Sequence, residues 1–105
     1  MLRECADIMR RQCRAIDLIA RYGGEEFALI LPDSDGVAAA RLCERIREAM
    51  QHADWSRIHP DLHVTVSAGV AYWSTGMAGD ELVGETDRRL YEAKRNGRNR
   101  VWATL

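Results

Sequence analysis

Two adjacent glutamates, Glu25 and Glu26, follow the glycine pair Gly23-Gly24 in a chain of 105 residues. Carboxylate oxygens suit a hard cation such as Mg²⁺. Neighbouring residues of a strand point to opposite faces, so the two acids are not expected to work as an acid/base dyad on one substrate. One of them can look into a cleft, and glycines without side chains let a bulky ligand lie close to the backbone. The same string also suits an ordinary hairpin with solubilising glutamates, and the motif by itself does not separate the two. A second feature is cationic: between Asp87 and Arg100 stand Arg88, Arg89, Lys94, Arg95, Arg98 and Arg100 against Asp87 and Glu92, six minus two, a local excess of +4. Cations at a helix end complement its dipole, and such a cluster can also hold phosphate. Arg14 and Asp17, just ahead of the glycines, are spaced for a helix-end ion pair worth less than about 1 kcal/mol when exposed. His52, His59 and His63 have no metal-site spacing, Trp55, Trp73 and Trp102 are scattered and read as packing, and Cys5, Cys13 and Cys43 read as small buried hydrophobes.

These residues need elements to hold them. Leu2, Cys5, Met9 and Cys13 recur every three or four positions, which predicts a helix from residue 2 to about 14. Two strand-like runs, DLIARY and EEFALIL, flank the glycine pair and predict a tight hairpin. Asp35 or a neighbour is placed to cap a second helix from about Val37 to His52, with Ala39, Leu42, Cys43, Ile46, Ala49 and Met50 inward. Residues 53–61 read as a loop. From Leu62 to Tyr72 apolar and polar residues alternate, the pattern of a strand. A third helix is expected from about Asp80 to Asn96, with Leu82, Val83, Thr86, Leu90 and Ala93 inward and Gly97 as its left-handed cap. Arg100 to Trp102 reads as a last edge strand. The order predicts an α+β domain of helices packed on a mainly antiparallel sheet.

Composition narrows the function. Fifteen basic and sixteen acidic residues leave a net charge of −1, which argues against nonspecific binding of a nucleic-acid duplex. No apolar run approaches the ~20 residues that span a bilayer. Three cysteines without a CxxC pair fit reduced thiols in a cytoplasm.

The run from Arg14 to Phe27, RAIDLIARYGGEEF, closely resembles the signature of GGDEF domains, the bacterial diguanylate cyclases, in its GGEEF form. Val64 to Val70 resembles the family's later core strand. Asp87, Leu90, Tyr91, Ala93, Lys94 and the GRNRV run from Gly97 to Val101 resemble its closing helix and the segment after it. The resemblance implies a βαββαβ palm-like cyclase fold. It implies an enzyme that joins two GTP into cyclic di-GMP with release of pyrophosphate, across a homodimer and with Mg²⁺. Carried over by position, Glu25 and Glu26 are the catalytic residues, Glu25 as the metal ligand and Glu26 as base or second metal contact. Gly23 and Gly24 let the nucleotide lie against the hairpin, and Lys94 and Arg98 grip its terminal phosphates. Arg14, Asp17 and Arg45 form a product-inhibition site that takes cyclic di-GMP. There a bidentate arginine–guanine contact is worth about 1–3 kcal/mol.

Residues 1–105 are expected to be a partial domain, the C-terminal two-thirds, because the family's first strand, its aspartate metal ligand, a phosphate turn and its guanine readers precede the position of Met1. Such a piece is expected to be weakly active or inactive, and to pair with another copy as a homodimer or a strand-exchanged oligomer, since a missing strand leaves an open edge. The alternative function is a non-catalytic module that binds cyclic di-GMP.

Overall fold

A computed structural model describes residues 1–103. Helix α1 spans Leu2–Gln12 and buries Cys5, Ile8 and Met9. It stops two residues earlier than the periodicity predicts. Cys13 is extended, and the next amide, Arg14 N–H, donates to Asp17 Oδ2 at 2.8 Å instead of to a helix carbonyl. Strands β1 (Leu18–Gly23) and β2 (Glu26–Ile30) pair antiparallel, with Leu18 opposite Ile30 and Ala20 opposite Ala28. Helix α2 spans Gly36–His52, capped by Asp35, whose Oδ1 accepts from Ala38 N–H at 2.7 Å. Of the expected inward stripe Ala39, Leu42, Ile46 and Met50 are buried, while Cys43 and Ala49 are half-buried.

These elements share one core. Cys5, Ile8 and Met9 of α1 meet Leu42, Ile46 and Met50 of α2 and Trp55 of the following loop. One face of the hairpin, Ile19, Phe27 and Leu29, closes over them. The opposite face leaves Leu18, Tyr22 and Ile30 in water.

The alternating segment 62–72 departs from expectation. Leu62, Val64 and Val66 do turn inward onto the core while His63 and Thr65 face out. Only Ala68–Gly69 forms a strand, β3. Period-two burial needs a core on one side, whereas a ladder also needs a neighbouring backbone, and residues 62–67 have none among the described residues. β3 pairs with β4 (Val101–Trp102), in parallel and not antiparallel: Ala68 N–H donates to the Arg100 carbonyl and Val70 N–H to the Trp102 carbonyl, both at 3.0 Å.

Helix α3 spans Gly79–Arg95 and lies on this second sheet. The approach is close at Gly69, where a Cβ would sit 2.2 Å from Leu90 N and 2.5 Å from Thr86 O, so no side chain fits. Two expectations about this region fail. Val83 is exposed, and the inward position is taken by Arg89, which is 9% exposed. Its guanidinium donates to the carbonyls of Val70 (2.6 Å) and Ala103 (3.1 Å) and to Glu85 Oε1 (2.7 Å), so it ties the helix to both strand ends. Trp73, expected to pack, is also largely in water, its indole N–H donating to the Met77 carbonyl. The helix closes as predicted: Gly97 has φ +116°, and Arg98 N–H reaches back to the Ala93 carbonyl at 3.0 Å. No helix among the described residues is long and apolar enough to cross a membrane.

Candidate functional site at the hairpin tip and the end of α3

The tip of the hairpin is a two-residue turn, Gly24-Glu25, with Gly23 ending β1 and Glu26 opening β2. Gly24 has φ +52°, and a Cβ on either glycine would meet nothing within 4 Å, so the backbone here is open to a ligand. The geometry corrects one expectation. Glu25 lies in the turn and not on a strand, so strict alternation does not set its direction relative to Glu26. Arg21 braces the turn, its Nε–H donating to the Gly24 carbonyl at 2.9 Å, a contact the sequence did not suggest.

Glu26 lies on the hairpin face away from α1 and α2, since Phe27 next to it faces the core. There it meets Lys94 in the last turn of α3, with Nζ 3.7 Å from Oε1. Hairpin tip and helix end, far apart in sequence, are therefore neighbours. Arg98 does not share the helical face with Lys94: its φ is +62°, beyond the helix end, and its side chain is exposed. Among the described residues no three His, Cys, Asp or Glu side chains gather as a metal site. The donors available to a divalent ion are thus the tip carboxylates alone. Mg²⁺ is commonly held by one or two carboxylates together with substrate phosphates and water, so this donor set fits it only with a phosphate ligand present.

A second cluster lies at the base of the hairpin. Asp17 is 2% exposed. Its Oδ1 accepts from Arg14 Nη2 at 2.9 Å and its Oδ2 from the Arg14 amide. The hydrogen bond from the Arg14 side chain is the main reason its carboxyl titrates below the ordinary aspartate range. Arg14 Nη2 also donates to the Pro32 carbonyl and to Ser34 Oγ, which ties the turn before β1 to the turn after β2. Arg14 Nη1 has no partner among the described residues. Arg14 borders an open concavity of about 300 Å³ that is also lined by Asp17, Ser34, Arg41 and Arg45. Arg14, Asp17 and Arg45 are thus brought together. The sequence missed Arg41, although it stands one helical turn before Arg45, a spacing that places both on one face of α2.

A larger depression of about 500 Å³, between Tyr91, Arg88 and Trp102, contains none of the expected site residues. Of the three cysteines expected to be buried only Cys5 is; Cys13 and Cys43 are half-buried, and desolvation pushes the Cys43 thiol up to about 11.

An α+β domain that presents a Gly-Gly-Glu-Glu hairpin tip to the cationic end of its last helix defines a class, and comparison with known proteins gives it a name. The family described as diguanylate cyclase, GGDEF domain, matches residues 1–100, and the chain belongs to it. Diguanylate cyclase A of Treponema denticola is 37% identical over 102 residues, which cover 96% of this chain and 28% of that protein. The response regulator PleD of Caulobacter vibrioides is 41% identical over 104 residues, 96% of this chain and 23% of that one. The chain thus spans roughly a quarter of these relatives. Among solved structures, the coiled coil and GGDEF domain of DgcB from Caulobacter crescentus, in complex with c-di-GMP, superposes with a TM-score of 0.89. The identity is 33%, covering 98% of this chain and 56% of that one.

Proposed function

We propose that this domain is one half of a diguanylate cyclase: with a second copy facing it, two GTP are condensed into cyclic di-GMP. In each half-reaction a ribose 3′-hydroxyl attacks the α-phosphorus of the opposite GTP. A P–O bond forms, the bond to the β-phosphate bridge breaks, pyrophosphate leaves, and the hydroxyl proton is released. The observation that carries this reading is the 3.7 Å approach of Lys94 to Glu26, which gathers acid, open backbone and ammonium at one place. Glu25 would hold Mg²⁺, which when bound spreads the charge developing on the phosphates. Gly23 and Gly24 give the nucleotide room, while Lys94 and Arg98 bind its terminal phosphates.

The Arg14 concavity is proposed to take cyclic di-GMP as an inhibitor. Asp17 would hold the Arg14 guanidinium in place, leaving the Nη1 edge and Arg45 for guanine or phosphate. Among the described residues the tip carboxylates have no further acid beside them, so turnover by this chain alone is expected to be weak. The same concavity favours a second reading, a cyclic di-GMP-binding module without catalysis. Calorimetry separates the two. Binding of GTP with Mg²⁺ that is lost in Glu25→Ala supports the cyclase reading. Binding of cyclic di-GMP lost in Arg14→Ala, with no GTP binding, supports the module. Size-exclusion chromatography showing a monomer at every concentration would count against pairing of two copies.

A further inference from the structure

We propose that Glu26 is a positioning residue, the counter-ion that holds Lys94 at the hairpin tip until a phosphate displaces it. This rests on the reading of Lys94 as a phosphate ligand and assigns a role to the acid beside the metal-binding position. Among the described residues this is the one ion pair that joins the hairpin to α3. Its separation of 3.7 Å is beyond hydrogen-bond distance, and the two side chains are 38% and 48% exposed. A contact of this kind is held by charge alone, in water, and is readily exchanged. A phosphate carries more charge than a carboxylate and offers more acceptor oxygens, so it outcompetes Glu26 for the same ammonium. Meanwhile the carboxylate draws the long lysine side chain toward the tip face. Glu25, one residue away in the turn, makes no ion pair among the described residues. The two adjacent acids therefore divide the work: one is free for a cation, the other engaged with Lys94.

The test is binding of inorganic tripolyphosphate to the full chain in EDTA, followed by calorimetry, with no metal and no turnover involved. Glu26→Gln releases Lys94 and is expected to tighten binding about twofold to fivefold at low ionic strength, equivalent to about 0.4–1 kcal/mol. The gain should shrink strongly in 0.5 M salt, where the screening length falls to a few ångströms. Glu25→Gln, which removes the same charge without freeing a lysine, should change the affinity less. In a Lys94→Ala background the gain from Glu26→Gln should fall to that of Glu25→Gln, the through-space effect of one lost charge. Unchanged or weaker binding in Glu26→Gln, or an equal gain in Glu25→Gln, overturns the proposal and leaves the phosphate role of Lys94 standing. Lys94→Ala that binds tripolyphosphate as the unaltered chain does overturns both together.

Discussion

Replacing Gly69 by alanine asks whether the contact between β3 and α3 sets the place of the cationic helix end. The added Cβ would fall 2.2 Å from Leu90 N, 2.5 Å from Thr86 O and 2.8 Å from Leu90 Cα. All three atoms are helix backbone, so no side chain can swing aside. To restore an ordinary separation of about 3.4 Å, strand and helix must part by about 1.2 Å, in a region packed like a crystal. That loosens Ala93, which is wholly buried, and Val70, which is 6% exposed. Overpacking costs about 1–3 kcal/mol, and a backbone obstacle belongs at the upper end. An opposing effect exists, because alanine restricts the unfolded chain and returns about 0.4–1 kcal/mol where its backbone angles are allowed. Gly69 does not have a positive φ, so this gain applies. The clash still wins, by about 2 kcal/mol. For a domain of this size that lowers the thermal midpoint by about 8–16 °C, readable by circular dichroism. Gly79→Ala, where a Cβ meets nothing, is the control and should hold or raise the midpoint. A Gly69→Ala midpoint equal to that of the unaltered chain would refute the close seating of α3.

Two further outcomes follow from local chemistry. Asp35→Ala removes the acceptor for Ala38 N–H and should cost about 1 kcal/mol, seen as a matching drop in the denaturation midpoint. Asp17 titrates below its ordinary range in the folded chain, held down by Arg14. Its contribution to stability is therefore complete above the unfolded aspartate range and is lost as pH falls through the lower folded value. Acid unfolding should be shallower in Asp17→Asn, which is already weakened at neutral pH. Equal acid slopes in the two proteins would count against the Arg14–Asp17 lock.

Much of the secondary structure was legible because it is local. The α2 stripe from Ala39 to Met50, the Asp35 cap and the Gly97 closure each depend on residues within a turn or two. The hairpin was legible for the same reason, and so was the resemblance carried by the GGEEF string. Arg14 and Asp17 were found as a pair three residues apart. What failed was non-local. Alternation from Leu62 to Tyr72 marks which side chains face a core, but whether a strand forms depends on a neighbouring backbone. Val83 is exposed and Arg89 buried because the partners of Arg89, the Val70 and Ala103 carbonyls, come from strand ends distant in sequence.

The sequence by itself determined the helices, the hairpin, the family and the residue types that could meet a triphosphate, since each is written in short-range patterns. Only the tertiary structure decided that Lys94 lies beside Glu26 while Arg98 stands past the helix end in a left-handed conformation, that Arg41 joins Arg14 and Arg45, and that β3 runs parallel to β4. Charges and backbones brought together by folding obey distances that no spacing along the chain contains.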